Sequence, residues 1–88
     1  MKQLEGKVAI ITGSSSGLGR EIAVRFAQEG ASVVVNADRN VSGGQETVRI
    51  IKEAGGQAIF VQASVASSAD CARMVKAAVD TFGKLDVL

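Results

Sequence analysis

The residues best suited to chemistry lie together in Thr12-Gly13-Ser14-Ser15-Ser16-Gly17-Leu18-Gly19. Gly13 can turn sharply out of a preceding strand without a Cβ clash. Gly17 lets backbone approach a bound group, and Gly19 lets a following helix lie near the strand. If the stretch opens a helix, its free N–H groups and the positive end of the dipole favour an anion. Serine hydroxyls add donors. Gly13, Ser14, Ser15, Ser16, Gly17, Leu18 and Gly19 therefore form a candidate pyrophosphate cradle. The plainer reading is an ordinary tight turn. The spacing is Gly-x-x-x-Gly-x-Gly, which is neither Gly-x-Gly-x-x-Gly nor a Walker loop, because no Gly-Lys-Ser/Thr follows.

A second reader of a nucleotide belongs about 20 residues further on, at the end of the next strand. Asp38 stands there, 19 residues after Gly19 (38 − 19), with Arg39 beside it. A carboxylate at that place accepts both ribose hydroxyls of NAD and repels the extra phosphate of NADP, whereas an arginine clamps that phosphate. The alternative for both residues is an exposed strand-to-helix turn.

Little else in the chain can act on a substrate. The 88 residues contain no His, Tyr, Trp or Pro and one Cys. The commonest general base and the phenolic acid are absent, and one Cys without His supplies no N/S zinc cage. No catalytic or metal-binding residue is assigned. Cys71 falls in an apolar stripe and reads as a small buried hydrophobe. A net charge of +1, with basic residues spread among acids, argues against nucleic acid as a main partner. No apolar run approaches the roughly 18 residues of a membrane helix. The expectation is a cytoplasmic protein that does not engage membranes.

The elements around these residues follow from periodicity. Lys7 to Thr12 is a β-branched run typical of a buried strand. Leu18, Ile22, Ala23, Phe26 and Ala27 share a helical face, and Gly30 suits a left-handed cap. Ser32 to Ala37 is a second strand. Ser42 and Gln45 have capping-box spacing, with Ser42 placed to satisfy free amides, and Val48, Ile51 and Ala54 continue that helix to Gly55-Gly56. Ala58 to Val61 is a third strand. Ser67 and Asp70 form another capping box, Cys71, Met74, Val75, Ala78, Val79 and Phe82 step by three and four, and Gly83 ends that helix. Leu85 to Leu88 begins a fourth strand. Such alternation implies an α/β fold with a parallel sheet and right-handed crossovers, in one partial domain spanning residues 1–88.

These residues resemble the short-chain dehydrogenase/reductase family. Thr12 to Gly19 is similar to its Thr-Gly-x-x-x-Gly-x-Gly cofactor loop, Gly6 to Ile11 to the strand before it, and Gly83 to Leu88 to the segment that leads into Asn-Asn-Ala-Gly. The nearest likeness is to members of the bacterial glucose 1-dehydrogenase and 3-oxoacyl-(acyl-carrier-protein) reductase type. The resemblance implies a Rossmann-type sheet of order 3-2-1-4, with helices on both faces, holding the adenosine and pyrophosphate half of NAD (or NADP). It makes Asp86 a structural residue. It places Ser64, followed by Val65, where the family usually has an acid that holds the adenine amino group. It puts the ribose-reading acid at Ala37 counting forward and at Asp38 counting back. No basic residue precedes Gly17, which agrees with NAD.

Complete members transfer hydride between nicotinamide and an alcohol or carbonyl substrate, using a Ser and a Tyr-x-x-x-Lys. The chain stops before those residues, so the expectation is an amino-terminal cofactor-binding part that is inactive by itself. It is expected either to form a homo-oligomer or to need a carboxyl-terminal part, its substrate being undefined. Alternatives are a stand-alone nucleotide-binding module without catalysis, and an inert truncation product.

Overall fold

The computed structural model describes residues 3–87. Three strands, β1 (Val8–Ile11), β2 (Ser32–Ala37) and β3 (Gln57–Gln62), alternate with three helices, α1 (Gly17–Gln28), α2 (Val41–Glu53) and α3 (Ser68–Phe82). The strands form one parallel sheet with β2 in the centre. Val8 pairs with Ser32, and Val34 with Ile59. The segment after α3 lies along the free flank of β1, where Val87 bridges Ala9 in parallel. The spatial order is thus 3-2-1 with the last segment beside β1, as the order 3-2-1-4 requires. Of the expected fourth strand, Leu88 lies outside the described residues.

The unbroken run Val33-Val34-Val35 is explained by cover on both faces of the sheet. Side chains alternate across a strand. Val33 and Val35 pack with Ala23, Ala27 and Ile51 of α1 and α2, whereas Val34 packs with Val8, Ile10, Val61, Met74 and Ala78 on the α3 side. Small residues bring the helices close. At Gly44 an added Cβ would lie 2.1 Å from the Phe60 ring, so α2 rests directly on β3.

Asp86 fastens the last segment. Its Oδ2 accepts from Val8 N at 2.9 Å, and its own amide donates to Val8 O at 2.9 Å. The Val8 amide holds the carboxyl below the usual aspartate range, with Lys84 acting in the same sense.

Three expectations need correction. Leu18 and Ile22 are exposed, at 71% and 38%, rather than buried with Ala23 and Ala27. Ala23 and Ala27 are four residues apart and define the face on the sheet; Ile22 is turned about 100° away from it, and Leu18 sits at the helix mouth. The cap of α2 is Asn40, whose side chain accepts from Gly43 N at 3.1 Å. Ser42 already lies inside the helix, its hydroxyl turned back to Asn40 Oδ1. Cys71 is half-buried, with Sγ 3.5 Å from Val65 O. The other punctuation agrees: Ser67 caps α3 by accepting from Asp70 N, and Gly83 ends it at φ +88°.

Candidate functional site

Parallel strands end on the same rim of the sheet, and the glycine-rich stretch crosses that rim from β1 to α1. Gly13 and Gly17 take left-handed φ values of +62° and +57°, which glycine adopts without steric cost. At Gly19 a Cβ would sit 2.1 Å from Gly13 O. No side chain of that size fits between the first turn of α1 and the loop, so the glycine at this position sets the close approach.

The three helix starts differ in a way that matters for anions. Asn40 caps α2 and Ser67 caps α3, each by a side-chain oxygen. At α1 the capping position is Ser16, and its side chain makes no capping bond. The first amides of a helix have no partner within it. Those of Gly17, Leu18 and Gly19 make no hydrogen bond of good geometry to an acceptor among the described residues. Among the described residues, the amides of Ser15 and Ser16 donate to no protein acceptor either. The first turn of α1 carries no acidic side chain.

Ser14 has a different place from the one its sequence suggests. It is fully buried; its hydroxyl donates to Ile11 O at 2.7 Å and accepts from Asn36 N at 3.0 Å. It pins the loop to the sheet and is not a free donor. Asn36, also buried, completes the pin. Its Oδ1 accepts from Gly13 N at 3.2 Å, and its Nδ2 donates to Val61 O and Ala63 O at 3.2 and 3.1 Å. On the other side of the loop, Thr47 Oγ1 donates to Ser14 O at 2.8 Å, and Arg20 Nη2 donates to Ser15 O at 2.7 Å. Sequence reasoning missed Asn36, Thr47 and Arg20. The one available signal was a polar residue, Asn36, at the end of an apolar strand run.

A cleft of about 400 Å³ opens beside the loop, lined by Thr12, Gly13, Asn36, Asp38, Ala63, Ser64, Val65 and Ala66. It brings together Gly13, Asp38 and the adjacent pair Ser64 and Val65 from three separate places in the sequence. Asp38 is exposed, and its carbonyl is held by Gln62 Nε2 at 2.8 Å. Ala37 is buried at the end of β2, so of the two positions open to a ribose-reading acid, position 38 faces the cleft. Arg39 is exposed and does not line it. Ser64 Oγ accepts from Ala66 N at 3.3 Å, leaving its hydrogen free to donate, while Ser64 N donates to Asp70 Oδ2 at 2.9 Å. Val65 is 61% exposed and offers an apolar wall.

A second depression of similar volume lies at the opposite rim, lined by Glu5 and by the carboxyl ends of α1 and α2. Helix carbonyls and a carboxylate give it the wrong polarity for an anion. No helix among the described residues is long and apolar enough to cross a membrane.

Comparison with known proteins shows the family and the fold. The family model described as short chain dehydrogenase matches residues 7–88. Glucose 1-dehydrogenase 2 of Bacillus subtilis is 46% identical over 87 residues, covering 99% of this chain and 34% of that protein. A short-chain dehydrogenase/reductase homolog of the same organism is 42% identical over 82 residues, covering 93% of this chain and 75% of that protein. Among solved structures, a 7α-hydroxysteroid dehydrogenase complexed with NADH and 7-oxo glycochenodeoxycholic acid superposes with a TM-score of 0.91 at 39% identity, covering 96% of this chain and 33% of that one. The chain spans about a third of the length of several curated relatives it matches, which are 46–49% identical to it.

Proposed function

Since the chain belongs to the short-chain dehydrogenase family, we propose that its work is to hold a nicotinamide dinucleotide, with the diphosphate at the mouth of α1 and the adenosine half in the neighbouring cleft. The observation that carries this reading is the uncapped start of α1, beside two helices that are each capped by a side chain. The family and the NADH held by the similar hydroxysteroid dehydrogenase support the cofactor class.

In this reading the amides of Ser15 to Gly19 surround the diphosphate, with Gly13, Gly17 and Gly19 giving the backbone room. Asp38 accepts from the ribose hydroxyls, and Ser64 and Val65 flank the adenine. NAD is the preferred cofactor because Asp38 lines the cleft and Arg39 does not. NADP is the alternative, taken through Arg39 if the turn after β2 rearranges.

Bound nicotinamide supplies a carbon that accepts or gives up hydride. Nothing in these 88 residues replaces the tyrosine proton donor, since the sequence has no Tyr and no His. The 88-residue chain therefore binds and orients cofactor without turning substrate over. Reduction of a ketone, or oxidation of an alcohol, belongs to this reading only together with residues outside this sequence. A second reading, a stand-alone nucleotide-binding module that serves no catalysis, is favoured by a relative of comparable length, three-quarters of which this chain covers.

Thermal unfolding with NAD, NADP and ADP-ribose tests the proposal. A ligand at a hundred times its dissociation constant stabilises a native state by about 2.7 kcal/mol. NAD and ADP-ribose should raise the midpoint, and NADP should do so less. D38A should narrow the gap between NAD and NADP. If none of the three raises the midpoint, the cofactor assignment is lost. Production of NADH from NAD with an alcohol substrate would refute the statement that the chain has no turnover by itself.

A further inference from the structure

Arg20 has no part in the family motif quoted above, yet it makes three hydrogen bonds at the base of the loop. Its Nη2 donates to Ser15 O at 2.7 Å and to Gly43 O at 3.0 Å, and its Nε donates to Thr47 Oγ1 at 2.9 Å. Thr47 is fully buried, and its hydroxyl reaches Ser14 O at 2.8 Å, closer than its alternative acceptor, Gly43 O, at 3.1 Å. The start of α2 fits against the loop so closely that a Cβ at Gly43 would lie 2.7 Å from Ser15 O. Two successive carbonyls, those of Ser14 and Ser15, are thereby drawn toward α2.

Peptide planarity makes this consequential. In a trans peptide the carbonyl of one residue and the N–H of the next point in opposite directions, and there is no cis bond among the described residues. Holding the Ser14 and Ser15 carbonyls toward α2 turns the amide hydrogens of Ser15 and Ser16 to the other side of the loop. Those hydrogens have no protein acceptor among the described residues.

We infer that Arg20, acting with Thr47, is a positioning residue that aims the Ser15 and Ser16 amides at the diphosphate of the cofactor. Arg20 does this through its fork of donors and not by placing its charge on the phosphate. The inference rests on the dinucleotide reading above and deepens it: the anion loop and the start of α2 behave as one unit. A lysine keeps the charge of Arg20, but its ammonium is a compact point charge that cannot reproduce a planar fork aimed at three acceptors.

The test is titration of the ¹⁵N-labelled chain with NAD, following the amide signals of Ser15 and Ser16, for the native protein and the variants R20K, R20Q, T47V and T47S. In the native chain both amides should shift on binding. In R20K and R20Q alike those shifts should vanish, and the dissociation constant should rise about tenfold, as loss of aligned charge-assisted bonds implies. T47V should behave like R20K, and T47S, which keeps the hydroxyl, should restore the native response. If T47V fails to fold, the two Arg20 variants decide the matter. Native affinity in R20K with weak binding in R20Q would mean that charge, not aim, is what matters, and would overturn the inference. So would NAD binding that leaves both native amides unmoved. A native chain in which no signal responds to NAD, NADP or ADP-ribose defeats the cofactor reading itself, and this inference with it.

Discussion

Replacing Gly19 by alanine puts one methyl group where the chain has no room for it. The new Cβ would lie 2.1 Å from Gly13 O, 2.9 Å from Gly13 C and 3.0 Å from Ser14 Cα, all of them backbone atoms. No rotamer change relieves such a contact; the first turn of α1 and the loop must separate by roughly 1 Å. Overpacking of this kind costs about 1–3 kcal/mol. Alanine returns part of that through better helix propensity, at most about 1 kcal/mol. A 2.1 Å approach to backbone puts the cost at the upper end of that range, about 2–3 kcal/mol; the net destabilisation is then about 1–2 kcal/mol, and for a chain of this size a loss of that order lowers Tm by roughly 5–15 °C. The displaced turn also spreads the amides that face the diphosphate. Losing one charge-assisted bond there is worth about 1.5–3 kcal/mol, which lowers affinity at least about tenfold. Circular dichroism melting and isothermal titration with ADP-ribose measure the two effects. Should G19A melt within about 2 °C of the native chain and bind ADP-ribose equally well, the close approach of helix to loop does not exist, and the argument from it fails.

Other perturbations follow from the same contacts. N36D replaces two donors by an acceptor facing Val61 O and Ala63 O in the interior, and should cost at least about 3 kcal/mol by unpairing buried groups; a denaturant midpoint close to native would contradict it. N40A removes the cap of α2 and should cost about 1 kcal/mol, whereas S42A should cost only a few tenths, a contrast read directly from paired urea curves. Asp86 is held below its ordinary value by the Val8 amide. Its stabilising share is complete above the unfolded value of about 3.9 and is lost as pH falls through the lower native value. D86N, which keeps an oxygen acceptor for Val8 N, should flatten the decline in stability below about pH 4; equal acid profiles for D86N and the native chain would show that Asp86 is not the linked group.

What could be read from the sequence was whatever neighbours in the chain decide. The β-branched runs marked the strands, glycines at 30, 55 and 83 marked helix ends, and Ser67 with Asp70 marked the start of α3. The same local reasoning misplaced the start of α2, because Asn40 and Ser42 both have capping chemistry and only the backbone path distinguishes them. It assigned Leu18 and Ile22 to the interior because they fall in an apolar spacing, whereas packing chose the smaller Ala23 and Ala27 to bring α1 down on the sheet. The role of Ser14 was invisible for another reason. Besides Ile11, three residues back, its partners lie 22 and 33 residues away, in Asn36 and Thr47, and no local pattern encodes a hydrogen bond from a loop to a distant strand or helix. Gly13, Asp38, Ser64 and Val65 could each be named as candidates, but their convergence on one cleft follows from the parallel sheet alone.

Asn36 reaches from the central strand to both its neighbours, holding Gly13 on one side and Val61 and Ala63 on the other. The mouth that would receive a phosphate is thus built into the sheet and does not hang from it as a separate flap. Most of the ordering entropy that a floppy loop would surrender on meeting its ligand has already been spent in folding. Exchange of the Gly13 and Ser14 amides with deuterium should accordingly wait for the sheet itself to open, at the same slow rate as Val34. Capture of a ligand and integrity of the core would then be lost together, in a single melting step.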